Sequence, residues 1–387
     1  MKETCLAQRM DAIEPFHVME LLARARALEA QGHDVVHMEI GEPDFATAAP
    51  IVEAGRLALR DGRTKYTTAA GLPELREAIA RYYADHYRVD VPVERILITP
   101  GASGALQLAL GVVVNPGDEI LMADPGYPCN RHMIRMFGGE AALVPVGANT
   151  AYQLTPDLAR EQWSERTIGI MAASPSNPTG TVIPESGLRG LAELCRERGG
   201  VFIVDEIYHG LTYREPLTSA TAIGEDIFVI NSFSKYFGMT GWRLGWLIAP
   251  EPYVRALDKL AQNIFLAAST PAQYAALAAF EPGTLEILED RRAVFGERRD
   301  FLLPALREIG FDVPVEPDGA FYIYAGSARF DDDSLAFATR VLDQAHVALT
   351  PGIDFGDHRA AQHVRLAYTN SLDKLRRGVD RIAAMAA

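Results

Sequence analysis

The chain has 387 residues, 48% of them apolar and 23% charged, proportions of a globular protein rather than a fibrous or disordered one. At about 100–200 residues per domain, this length suggests two or three domains. The net charge of −14 argues against a nucleic-acid partner, which needs a basic face, and no apolar run approaches the roughly 18 residues of a membrane helix.

Met1 to Val18 mixes charges with apolar residues and has no apolar centre, so neither a secretory signal nor an anchor is expected. Cys5, Cys129 and Cys195 are too few and too scattered for a disulfide framework, and reduced thiols are expected. No metal site is expected either. These features suggest a cytoplasmic chain with neither nucleic acid nor membrane among its partners.

Val18, Leu21, Leu22, Ala25 and Leu28 recur at helical spacing, and Gly32 is placed to end that helix. An extended stretch, Val35 to Ile40, runs into the turn Gly41-Glu42-Pro43-Asp44. Pro73 opens a second helix, with Leu75, Ile79 and Tyr82 on one face. The pattern then alternates. Strands are expected at Ile96–Thr99, Glu119–Ala123, Thr167–Ala172, Val201–Val204 and Ile227–Ile230, with helices at Ser103–Val113 and Leu188–Glu197. Short apolar strands separated by helices predict an α/β fold whose parallel sheet is covered on both faces. Ligands bind such sheets at the carboxyl ends of the strands. After Pro250, helices are expected from Tyr253 to Ala279 and from Leu285 to Ile309, followed by a smaller α/β pattern. The break Glu281-Pro282-Gly283 is the candidate domain junction.

Four loops carry the chemistry. In Ser232-Phe233-Ser234-Lys235, a lysine follows an apolar strand, and Arg243 stands eight residues on. A lone loop lysine is ordinarily a solvated charge. Here Gly238, Gly241 and Gly245 and several aromatics crowd it, which suggests backbone packed against a ligand. A desolvated lysine loses its proton easily and becomes a nucleophile toward carbonyls. Asp205 follows the strand Val201–Val204, with Tyr208 three residues later; alone, such an acid reads equally as a helix cap. Asn177-Pro178-Thr179-Gly180 is by itself a common turn. Pro100 to Ala105 places free amides and the Ser103 hydroxyl at a helix N-terminus, a ready anion site. It matches neither G-x-G-x-x-G nor a Walker loop nor the G-x-S-x-G elbow.

Together these loops resemble the class I/II aminotransferases of the aspartate aminotransferase superfamily, fold type I enzymes dependent on pyridoxal 5'-phosphate. The motifs appear in the family's order: Gly41-Glu42-Pro43-Asp44, Tyr66 to Gly71, Gly101 to Ala105, Asn177 to Gly180, Asp205-Glu206-x-Tyr208, Ser232-x-Ser234-Lys235, Gly241-Trp242-Arg243-x-Gly245 and Val364-Arg365-Leu366. The resemblance implies a large cofactor-binding domain over 45–282 with a mainly parallel seven-stranded sheet. It also implies a small α/β domain from 1–44 and 283–387.

It further implies that Lys235 holds the cofactor as a Schiff base and moves the substrate's α-proton. Asp205 would pair with the pyridine nitrogen and Tyr208 with the phenolic oxygen. Ala102, Ser103, Ser232, Ser234 and Arg243 would surround the phosphate, and Tyr127 would stack on the ring. Tyr66 would reach the phosphate of a neighbouring subunit, which implies a homodimer with shared active sites. Arg365 would grip the α-carboxylate with help from Asn177, which would also reach the cofactor's ring oxygen, the Gly41 backbone would close over the substrate, and Phe16 and His17 would line the entry.

Aspartate-specific members need a second cation for the distal carboxylate, and one bacterial branch has a lysine in the phosphate loop where this chain has Ser103. The expected donor is therefore neutral (apolar, methionine-like or aromatic), with transfer to a 2-oxo acid by a ping-pong mechanism. A C–S β-lyase on the same scaffold is the alternative. A non-catalytic cofactor-binding regulator is a distant one, since no helix-turn-helix extension or basic arm is read.

Overall fold

A computed structural model describes residues 6–214 and 216–386; Cys5 lies outside them. Seven strands form one sheet in the order Ile96–Thr99, Gly245–Ile248, Ile227–Ser232, Val201–Asp205, Thr167–Ala173, Glu119–Asp124 and Glu140–Pro145. Only Gly245–Ile248 runs antiparallel to its neighbours. The central strands are apolar at nearly every position because both faces are covered. Along Ile227–Ser232, Ile227 and Val229 join one core while Phe228 and Ile230 join the other. Helix Gly101–Val113 and helix Glu251–Ile264 cover the second face through Leu106, Leu110, Leu257 and Ala261. The first face receives Leu75 and Ile79 from helix Pro73–Tyr87 and Leu188 and Leu191 from helix Glu185–Arg198. Cys195 is buried in that helix and Cys129 is half-buried; both thiols are free.

The terminal segments build a second α/β unit. Tyr322–Gly326, His363–Ala367 and Thr350–Pro351 form an antiparallel sheet. Val36–His37 pairs in parallel with Val347–Ala348. Helices Ser334–Ala345 and Leu372–Ala386 and the 28-residue helix Pro282–Ile309 pack around them.

The structure departs from the sequence reading in three places. The stretch Tyr253 to Ala279 is not one helix: it stops at Ile264, Leu266 takes a left-handed φ of +63°, and a new helix spans Thr270–Leu277. Pro271 lacks an N–H and cannot sit in a helix interior without breaking it, and it lies in the first turn of the new helix. Strand Glu140–Pro145 escaped notice because its alanines carry little β preference. Strand Gly245–Ile248 was hidden inside the glycine-rich motif after Lys235.

Candidate active site

Five loops at the carboxyl ends of the parallel strands face one cavity of about 320 Å³. Its walls include Gly41, Ala102, Ser103, Tyr127, Asn177, Asp205, Tyr208, Ser232, Ser234, Lys235, Arg243 and Arg365, so every residue expected at the cofactor or substrate except Tyr66 comes together in one chain. Tyr66 is 82% exposed and stands apart from it. Of the two residues expected at the entry, Phe16 lines the cavity. His17 does not; its backbone N–H is instead bound by Asp354, which turns the residue into the start of a helix.

Lys235 projects from the loop after strand Ile227–Ser232, and its Nζ donates to the Gly41 carbonyl at 2.7 Å. Burial pushes its ammonium down to about 8. Arg365 and Arg243 act in the same direction, while Glu42 and Asp205 oppose them. A free amine at neutral pH is what attack on an aldehyde requires. At pH 7 only about a tenth of such an amine is neutral, and the fraction rises through pH 8. The rate at which this amine reacts with an added aldehyde is therefore expected to climb with pH and level off above about 9, read by stopped-flow absorbance. A rate independent of pH between 6 and 9 would contradict the lowered lysine.

Asp205 ends strand Val201–Asp205, and its Oδ1 accepts the Ile207 N–H at 3.0 Å. Burial raises its carboxyl to about 6, held back by the Ile207 N–H and then by the Lys235 charge, so it is largely ionised at pH 7. A buried carboxylate with one backbone donor suits a cationic ring nitrogen. Behind it, Glu206 accepts from Ser219 Oγ and from the Ala220 N–H at 2.6 Å, which fixes the loop's path.

The anion cradle lies at the start of helix Gly101–Val113, with the amides of Ala102 and Ser103 in its first turn. Gly101 has φ +69°, and a Cβ there would stand 2.6 Å from Arg243 Nη2. A Cβ on Gly245 would meet the Ala102 amide nitrogen at 2.9 Å. Glycine is thus required where backbone, arginine and cradle meet. Ser232 Oγ lies 2.9 Å from Ser234 Oγ and accepts the Ser234 N–H. Helix amides, two hydroxyls and a guanidinium make a fitting donor set for a phosphate ester.

Arg365, on strand His363–Ala367, is buried and held on several sides. Nη1 donates to Asn177 Oδ1 at 2.9 Å, and Nη2 to the Glu39 carbonyl at 2.6 Å and Thr350 Oγ1 at 3.2 Å. Its guanidinium lies 4.3 Å from the Tyr322 ring centre and 4.9 Å from that of Phe355. Its buried Nε has no partner among the described residues, an orphan donor that a ligand carboxylate would satisfy. The Tyr208 hydroxyl meets the Tyr322 hydroxyl at 2.8 Å, and a Cβ at Gly41 would strike the latter. Arg298 on the long helix clamps Asp44 with bonds of 2.7 and 2.9 Å, which holds the Gly41–Asp44 turn over the cavity. Tyr322, Thr350, Phe355 and Glu39 were not singled out from the sequence; the turn residues of Thr350-Pro351-Gly352 and Phe355-Gly356 were the available signal.

Residues 33–382 match the family described as aminotransferase class I and II. A (5-formylfuran-3-yl)methyl phosphate transaminase from Methanocaldococcus jannaschii is 39% identical over 97% of this chain and 98% of its own length. A valine–pyruvate aminotransferase from Mycobacterium tuberculosis is 37% identical over 96% of each. Among solved structures, an aminotransferase from Mycobacterium tuberculosis superposes with a TM-score of 0.96 at 37% identity, covering 99% of both chains. Aspartate aminotransferase from Thermus thermophilus gives 0.93 at 34% identity, covering 99% of this chain and all of that one. With cradle, lysine and arginine on one cavity and family likeness along nearly its whole length, the chain belongs to the class I and II aminotransferases, fold type I enzymes that use pyridoxal phosphate.

Proposed function

We propose that the protein moves the amino group of a neutral L-amino acid to a 2-oxo acid, donor and acceptor taking turns at one site. The observation that carries this reading is the convergence of the Lys235 amine, the Asp205 carboxylate, the anion cradle and the Arg365 fork on one cavity. Bound pyridoxal phosphate supplies an electron sink for the pair left on the substrate's α-carbon. Lys235 would hold the cofactor covalently, and its free amine then takes and returns the α-proton. Asp205 would keep a proton on the ring nitrogen. Ala102, Ser103, Ser232, Ser234 and Arg243 would bind the phosphate, while Tyr127 covers the ring face. Tyr208 and Asn177 would donate to the ring oxygen. Arg365 would orient the substrate through its α-carboxylate, bidentately, as a planar guanidinium does and an ammonium does not.

The exposed Tyr66 supports a homodimer in which that ring completes the partner's phosphate site. The pairing of Val36–His37 with Val347–Ala348 supports a small domain made from 1–44 and 283–387 beside a large one over 45–282. Among the described residues no helix is long and apolar enough to cross a membrane, which accords with a cytoplasmic enzyme.

The neutral donor is supported by the cavity's charges. Among the described residues its cations are Lys235, Arg243 and Arg365, each with a role above, and Phe16, Val18, Met19, Leu22 and Met133 make an apolar wall. The valine–pyruvate relative points the same way. Steady-state kinetics over an amino-acid panel test this: valine, leucine, methionine or phenylalanine is expected to exceed aspartate in kcat/KM by about tenfold or more. Aspartate leading by about a hundredfold would overturn it. Pyruvate release from cystathionine without a 2-oxo acid would favour the β-lyase instead.

A further inference from the structure

Asp354 takes no part in the roles assigned above, yet it is buried and lines the cavity from the turn Gly352–Asp354. Its two carboxylate oxygens accept the backbone N–H groups of His17 at 2.9 Å and Val18 at 3.0 Å, with the His17 ring nitrogen 3.9 Å away. These amides open helix His17–Ala30, whose preceding residue, Phe16, offers no capping side chain. Asp354 thus supplies from a distant part of the sequence the cap that the helix lacks, and meets the positive end of its dipole. The capped segment presents Phe16, Val18, Met19 and Leu22 to the cavity.

The same turn reaches the substrate arginine. Thr350 Oγ1 accepts from Arg365, and the Phe355 ring stacks against its guanidinium. The turn is in turn fastened to the sheet, because Asp124 accepts the N–H of Asp357 at 3.1 Å and of His358 at 3.0 Å. One stretch, 350–358, therefore touches the strand ends, the carboxylate-binding fork and the apolar wall. Helix His17–Ala30 also packs directly on Thr350–Pro351 and buries Leu21 and Ala25, and the Asp354 carboxylate holds its first turn.

We propose that Asp354 is a positioning residue that sets the gap between Arg365 and the apolar wall, and so favours donors with large apolar side chains over small ones. The proposal rests on the neutral-donor reading. An amino acid held by its α-carboxylate at Arg365 projects its side chain a fixed distance. A wall pinned at that distance packs a leucine or phenylalanine side chain and leaves alanine without contact. Releasing the first turn lets the wall drift and weakens large donors selectively.

The test uses the holoenzyme and the variants Asp354→Ala and Asp354→Asn. In D354A, kcat/KM for phenylalanine is expected to fall about tenfold, mostly through KM, against about threefold for alanine. Amide hydrogen exchange at His17 and Val18 is expected to accelerate about tenfold, while the cofactor's visible spectrum stays as in wild type. D354N keeps one acceptor and loses the charge, and its phenylalanine-to-alanine ratio is expected between those of wild type and D354A. Equal losses for both donors, or an unchanged ratio, would overturn the proposal. If only D354N folds, its ratio decides by the same rule. A wild type that prefers aspartate would sink the neutral-donor reading, and the claim about Asp354 would still stand or fall on the ratio and the exchange rates.

Discussion

Replacing Lys235 by alanine is expected to abolish the visible absorption of lysine-bound pyridoxal phosphate and to lower turnover by roughly 10⁴-fold or more. Two losses combine in that figure. Among the described residues that line the cavity Lys235 is the one lysine, and burial lowers its ammonium to about 8. No neighbouring group replaces it as a base for the α-proton: Tyr208 sits against Tyr322, and burial drives its hydroxyl well above the usual tyrosine range. The Gly41 carbonyl, now bonded to Nζ, loses its donor as well. An absorption spectrum of the purified variant and a single-turnover assay read the two losses separately. A K235A protein with wild-type colour and rate would refute the assignment of the covalent lysine.

Asp205→Ala is expected to cost about a thousandfold in kcat/KM and to weaken retention of the cofactor. The carboxyl is buried at the strand end, and burial raises it only to about 6, so a charge stands ready at pH 7 where a ring nitrogen would need its proton kept. Alanine would leave the ring nitrogen of bound pyridoxal phosphate without a carboxylate partner, and the electron sink would be shallower. Asp205→Glu provides the control, since it keeps the charge and moves it by one methylene. Recovery of part of the rate in D205E, with D205A inactive, is the expected pattern. Wild-type rates in D205A would remove the carboxylate from the mechanism.

Much of the fold was legible because its signals are local. Ile227–Ile230 and Val201–Val204 read as buried strands from four consecutive apolar residues each, and both lie at the sheet's centre. Helix Pro73–Tyr87 was marked by its proline and the spacing of Leu75, Ile79 and Tyr82, all of them buried. Most of the residues that line the cavity were legible as loops after strands, and the order of the motifs carried the family likeness. What remained hidden depends on distant partners. Nothing near Arg365 in the sequence announces Tyr322 and Phe355 as the rings against its guanidinium. Nothing near His17 announces that its helix is capped from residue 354. Strand Gly245–Ile248 needed the sheet on both sides to be recognised as one.

The short ladder between Val36 and Val347 also constrains the order in which the molecule can be completed. Its two halves are about three hundred residues apart, so while the ribosome is still at work the first strand has nothing to zip against. The central sheet gathers its own strands earlier, from nearer stretches of polypeptide. The turn at Gly41 and the roof over the pocket accordingly assemble last, after the carboxyl-terminal segment has emerged. A nascent chain therefore carries an unfinished pocket until the strand at Val347 has been made and can pair.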